Sequence, residues 1–241
     1  MRLKYDRKTV LARLVITAAM LASASGHAAL VNYSQNFETL NQADATALMI
    51  DGWRIFTNVY DTDRTTLLYD EGVFVAPNGG AGFSTITVAD ANKQLKVFSD
   101  YTNTDQGEGK WIEALVFQQQ LISAADVGSI LSFTFDVKQG DQIPDSSSTA
   151  FLKTSSSGSS LDTTAYGTDW GTETLSLTID NSMVGELAQF GFTATATNYR
   201  ASGVLYDNIS FSSSVVPVPG AVWLMMSGLI GLVGVARRRK H

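Results

Sequence analysis

Long stretches of this chain alternate apolar and polar residues one by one. In "LSFTFDVK", Leu131, Phe133, Phe135 and Val137 fall on one side, and Ser132, Thr134, Asp136 and Lys138 on the other. "TLSLTID" groups Leu175, Leu177 and Ile179, and "QFGFTATAT" groups Phe190, Phe192, Ala194 and Ala196. Successive side chains of a strand point to opposite faces, so this pattern predicts strands with one buried face. Further candidates are Asn32–Glu38, Trp53–Tyr60, Thr66–Tyr69, Ser84–Val88, Gln94–Ser99, Trp111–Gln118, Thr149–Thr154 and Gly203–Phe211. "APNGGAG", "TNTDQGEG" and "QGDQIPDSSS" supply turn chemistry between them. Many short strands so punctuated predict an all-β antiparallel sandwich, jelly-roll-like or immunoglobulin-like. "SSSGSS" (Ser155–Ser160) reads as a long loop, because strands continue after it without a second complete core.

The two ends break this pattern. Residues 1–13 carry Arg2, Lys4, Arg7, Lys8 and Arg13, and "LVITAAMLASASGHAA" follows as an apolar core with small residues. That order predicts a secretory signal helix over residues 1–28, cleaved after Gly26-His27-Ala28, with Ala22-Ser23-Ala24 as the alternative site. At the other end, Gly220 to Ala236 is 17 residues without a charge. As a helix this spans about 26 Å, near the lower limit for a single transmembrane helix. Pro217 and Pro219 precede it, and Arg237, Arg238, Arg239 and Lys240 follow at once. Basic flanks stay cytoplasmic, which puts the body on the exported side, in agreement with the leader.

This combination resembles the PEP-CTERM sorting signal. The resemblance covers Val216–His241, and Val216, Pro217, Val218 and Pro219 stand where the family has Val-Pro-Glu-Pro. It implies recognition by an exosortase, a membrane cysteine protease. The chain would be anchored in the inner membrane with its body outside, and then reach the cell surface or extracellular matrix. Val218 departs from the family's acidic residue.

Without its ends the chain is one domain over residues 29–214, long enough for a substantial core. Nine of the 17 basic residues lie in the end segments and only Asp6 of the 23 acids does, so the body carries about −14 against −6 for the whole chain. Such a surface suits cations and solubility, and is a poor partner for nucleic acid. The chain has no cysteine, and both histidines, His27 and His241, fall in the end segments. The body therefore lacks Ser-His-Asp and Cys-His chemistry and the usual zinc ligands. Haem and nucleotide are not expected either.

Carboxylates and aromatics carry the candidate chemistry. In "GVLYDNISF", strict alternation aligns Leu205, Asp207, Ile209 and Phe211. A carboxylate on an apolar face needs a partner. Two partners are considered: backbone amides at a bulge or strand edge, or a structural calcium ion bound through oxygen ligands. "NFE" (Asn36–Glu38) and "YDNISF" (Tyr206–Phe211) resemble the first and last strands of carbohydrate-binding-module jelly rolls. That resemblance implies a Ca2+ site formed by Glu38 and Asp207. "DTD" (Asp61–Asp63) and "NTDQGEG" (Asn103–Gly109) lack the EF-hand pattern and read as solvated loops.

Sugar binding needs aromatic faces beside polar groups. Tyr166 and Trp170 in "TTAYGTDWG" are the preferred candidates, with Asn198, Tyr199 and Arg200 as another rim, while Trp53 and Trp111 are assigned to the core. The functional expectation is an exported, non-catalytic surface or matrix protein with polysaccharide as a candidate ligand. A purely structural subunit is the alternative. A two-carboxylate glycan enzyme is less favoured, because no pair among Glu38, Glu71, Glu108, Glu113, Glu173 and Glu186 has diagnostic spacing.

Overall fold

A computed structural model describes residues 29–76, 78, 84–89, 91–99, 108–141, 144–196 and 203–215. The segments read above as a leader (residues 1–28) and a sorting tail (residues 216–241), and the candidate rim at residues 198–200, lie outside these residues. Among the described residues, twelve strands form two antiparallel sheets. They are β1 (Tyr33–Gln35), β2 (Arg54–Tyr60), β3 (Leu67–Val75), β4 (Ser84–Ala89), β5 (Asn92–Phe98) and β6 (Trp111–Leu121). Next come β7 (Ser129–Gln139), β8 (Ser147–Lys153), β9 (Gly158–Asp162), β10 (Gly171–Thr178), β11 (Leu187–Ala196) and β12 (Gly203–Val215). A single helical turn, α1 (Ala47–Ile50), precedes β2.

The first sheet runs β10-β7-β12-β5-β4, with β1 also on β12; the second runs β3-β2-β6-β11-β8-β9. From β5 to β8 and from β9 to β12 each connection crosses between sheets, giving a jelly-roll-like sandwich.

The alternating residues meet between the sheets. Phe133, Phe135, Phe190, Phe192, Tyr206 and Phe211 are fully buried. Phe192 of β11 stacks on Tyr206 of β12 with ring centroids 3.6 Å apart, and Phe190 stacks on Phe211 at 4.2 Å. Phe133 lies 5.3 Å from Phe190, and Phe135 lies 5.3 Å from Phe192. These rings form a continuous aromatic slab. Trp53 is buried as expected, but Trp111 is only half-buried, with the Arg64 guanidinium 4.3 Å from its ring.

The fold departs from the sequence pattern at two further places. "SSSGSS" is a tight turn leading into β9, which closes the edge of the second sheet. Thr154 Oγ1 accepts the Ser157 N–H at 3.2 Å in that turn, so hydroxyls supply the turn chemistry that composition alone read as a loop. Strict alternation also fails in β12. Its register on β7 shifts between Asp207 and Ser210, and Asn208 takes φ 47°. This bulge makes Tyr206, not Leu205, the partner of Ile209 and Phe211 in the core.

Asp51 ties the first strand to the slab. Its carboxylate accepts the Tyr33 hydroxyl at 2.6 Å, the Gln35 amide at 2.9 Å and the Trp53 indole N–H at 3.0 Å. Gln118 of β6 donates to the Asp51 carbonyl at 2.8 Å. Burial, reinforced by the Asp51 carboxylate, pushes the Tyr33 phenol far above its ordinary pKa. Asp51→Ala leaves three donors without an acceptor. It is expected to cost about 3 kcal/mol in urea denaturation, since each orphaned donor is worth roughly 1–3 kcal/mol. Exposed Asp169→Ala should change stability by less than about 0.5 kcal/mol.

Candidate functional site

Outward positions of the second sheet are expected to be polar, and many are. Phe56 on β2, Leu115 and Phe117 on β6, and Phe151 on β8 are not, and they form a second apolar cluster on that outer face. Gly191 of β11 lies between Phe117 and Phe151 in register. A Cβ there would sit 2.2 Å from the Val116 carbonyl oxygen, so glycine is required by close backbone approach. With no side chain between them, the Phe117 and Phe151 rings lie 6.4 Å apart over the glycine.

This floor belongs to an open groove of about 520 Å³. Val73 of β3, about half exposed, forms one side. Polar groups occur at both ends of the apolar floor. Glu113 Oε2 accepts from the Asn58 amide at 2.7 Å and from the Tyr60 hydroxyl at 3.4 Å. Burial, then the Glu113 charge, raises the Tyr60 pKa. At the other side Lys153 Nζ lies 4.7 Å from the Phe151 ring centroid. Burial lowers the Lys153 pKa, and the Glu113 charge partly offsets this. Gln189, Thr149 and Thr193 complete the polar lining. Phe117, Phe151 and Leu115 are nearly buried, so the accessible surface is half-buried Phe56 and Tyr60 with Val73 and the amide, carboxylate, ammonium and hydroxyl groups around them, a mixture of aromatic and polar surface of the kind sugar rings use.

Tyr166 and Trp170 lie elsewhere, in the connection between β9 and β10. Tyr166 packs against the core and donates its hydroxyl to Glu173. Burial, with that carboxylate, pushes its pKa up to about 12. Trp170 is 40% exposed, with Lys138 Nζ 4.7 Å from its ring. Neither residue lines the groove.

The charge of Glu38 acts on Asp207, though no hydrogen bond is seen between them. The near edge of β12 pairs with β5 through Tyr206 and with β1 from Ile209, so the Asp207–Asn208 bulge falls where one neighbour replaces the other. Asp207 is 8% exposed and accepts the Asn208 N–H at 2.7 Å. Its cross-strand neighbour is Asp136, which accepts the Asn208 amide at 2.7 Å. Glu38 Oε1 accepts the Lys93 N–H at 2.8 Å. Desolvation raises the Asp207 pKa, the Asn208 N–H opposes it, and the Asp136 and Glu38 charges raise it further. Nearby in β5, Gln94 is buried with its Nε2 unpartnered.

Among the described residues no three His, Cys, Asp or Glu side chains converge as a metal site. A calcium ion here would therefore draw most of its six to eight oxygens from carbonyls, amides and water.

No family model matches the chain, and no curated protein matches it. Solved structures give distant likenesses. A Stig cyclase from Fischerella sp. TAU matches at 14% identity over 77% of this chain and 100% of its own, with a TM-score of 0.42. The CBM22-2 xylan-binding domain from Paenibacillus barcinonensis Xyn10C matches at 11% identity over 76% and 99%, with a TM-score of 0.35. A structure described as "CBM4 structure and function" matches at 15% identity over 75% and 100%, also at 0.35. Likeness at this level assigns no activity.

The raised Asp207 pKa makes a signed prediction. A folded-state carboxyl with a raised pKa holds its proton more tightly than in the unfolded chain. Its stabilising contribution is complete below the unfolded value near 3.8 and is lost as pH rises through the folded value. Ionised Asp207 thus destabilises at neutral pH. In EDTA, Asp207→Asn should raise Tm at pH 7, and the difference should shrink towards pH 4. Asparagine keeps an acceptor for the Asn208 N–H.

Proposed function

We propose that this chain is an exported, non-catalytic surface or matrix protein that binds polysaccharide along the outer groove of the second sheet. The observation that carries the reading is a row of apolar and aromatic side chains on a sheet face that should be polar. Phe56, Leu115, Phe117 and Phe151 remain in a groove bordered by Asn58, Tyr60, Glu113 and Lys153. Leu115, Phe117 and Phe151 are themselves nearly buried, so a ligand would meet half-buried Phe56 and Tyr60, exposed Val73 and the polar border above that apolar floor. The basic-flanked apolar run at residues 220–236 supports sorting through the membrane, with an exosortase-type protease as the processing partner.

Glu113 is the one carboxylate among the described groove residues, and it is engaged by Asn58 and Tyr60. Glycoside hydrolysis by the usual route uses two carboxylates facing each other across the bond. The groove therefore supports binding over turnover. Trp170 is the second candidate for sugar contact, because its side chain is exposed.

Affinity electrophoresis in neutral and acidic polysaccharides tests the reading. Tyr60→Ala is expected to weaken binding about tenfold, the equivalent of about 1.4 kcal/mol for one lost aromatic contact. Trp170→Ala should leave binding unchanged. Loss with Trp170→Ala and none with Tyr60→Ala would transfer the site to the β9–β10 connection. Absence of retention on every polysaccharide would leave the purely structural subunit.

We also propose calcium at the Glu38–Asp207 gap, supported by the crowding of Asp136, Asp207 and Glu38. A cation would relieve their repulsion. Added Ca2+ should raise the Tm of the wild-type chain and EDTA should reverse it, with Asp207→Asn blunting both changes. A calcium-independent melt in the wild type removes the proposal.

A further inference from the structure

One end of the sandwich is unusually apolar. Val31 is 65% exposed and Ile50 73% exposed, and Met49, Leu121, Val184 and Leu187 are also exposed. Backbone pairing brings these positions to the same end. Leu121 and Leu187 are cross-strand partners, and Ile122 exchanges backbone hydrogen bonds with Gly185 and Glu186 beside Val184. Gln120 holds Val31 by both its N–H and its carbonyl, each at 2.8 Å. Met49 and Ile50 close α1 just before β2, whose first residue pairs with Phe117 near the end of β6.

Both ends of the described domain emerge here. The Leu30 N–H reaches Asp126 Oδ1 at 2.9 Å in the turn after β6. Asn32 Oδ1 accepts the Ser213 N–H at 3.1 Å, and Val215 pairs with Ser129. From Val215 only Val216–Pro219 intervene before the uncharged run that starts at Gly220. Four extended residues reach at most about 14 Å, and the headgroup layer is roughly 5–8 Å deep on each side. With the run in a bilayer, the end bearing Val215 is held against the lipid surface.

We infer that this apolar end docks on the membrane while the chain is tethered, its six side chains entering the headgroup region of a zwitterionic lipid surface. The inference rests on the tethering reading above. The geometry supports it twice over: the patch is at the tethered end, and aliphatic side chains suit the interface between headgroups and acyl chains. The body's acidic surplus favours uncharged over anionic lipid. The remaining exposed aliphatic side chains are mostly on edge strand β3, where Leu67 and Leu68 adjoin the β2–β3 turn at the other end of the sheet.

The absence of cysteine makes a direct test available. The full chain, recovered from membranes of exporting cells, is placed in phosphatidylcholine vesicles. It carries one fluorophore at Ile50→Cys, Leu187→Cys or Leu68→Cys. These are surface positions, where substitution changes stability little. The expected result is loss of fluorescence to brominated acyl chains at Ile50→Cys and Leu187→Cys, with none at Leu68→Cys. Flotation with vesicles but no lipid quenching at the first two positions overturns docking and leaves the tether. Protection from iodide without lipid quenching shows a second copy on the patch, and also overturns it. A chain that does not float with the vesicles overturns the tether, and docking with it.

Discussion

Stacking of aromatic rings between the two sheets governs the rest of this structure. Phe192 on Tyr206 and Phe190 on Phe211 each join a strand of one sheet to a strand of the other. Phe133 and Phe135 lock β7 into the same slab. A one-residue slip in any of these strands would exchange its faces and expose the rings, so the slab fixes register throughout. Register in turn decides which side chains β6, β8 and β11 turn outward. The groove is a consequence of this constraint, built from residues the slab leaves on the far side.

The slab also explains the position of Asp207. Tyr206 and Ile209 must both face inward, yet they are three apart in sequence, so alternation cannot satisfy both without an extra residue. The bulge at Asp207–Asn208 resolves this, and its cost is lowered by the Asn208 N–H that closes on the Asp207 carboxylate. The same point is where β5 gives way to β1 along the edge of β12. Carboxylates from three strand regions therefore crowd a place where sheet pairing changes, and their mutual repulsion follows from backbone geometry. Asp51 performs a related task along β1, where one carboxylate satisfies three donors and anchors a strand of only three residues.

Much of the fold was legible because one-sided burial imprints a period of two. β7, β10 and β11 follow their apolar alternation, and Trp53 is in the core. β9 was hidden because "GSSLD" at an exposed edge buries too little to show a pattern. The groove was hidden for the opposite reason. In "ALVF" all four residues, Ala114 to Phe117, are buried, so apolar groups on two faces erase the alternation. That erased alternation is itself a signal, as is "AFL" in β8, and it marks strands with work on both sides. The loop aromatics are legible in the sequence but lie away from the groove: Tyr166 commits its hydroxyl to Glu173, and Trp170 is exposed.

The sequence by itself determined the sandwich, its buried rings, the acidic body without histidine or cysteine, and the character of the two end segments. All of these follow from composition and local periodicity, which act over a few residues. Tertiary structure alone decided that Phe56, Phe117 and Phe151 share one groove with Glu113 and Lys153, that the charge of Glu38 is felt at Asp207, and that both ends of the described domain lie beside Val31 and Leu187. These pairings join residues far apart in the chain. They are set by strand order and register, which no short-range pattern encodes.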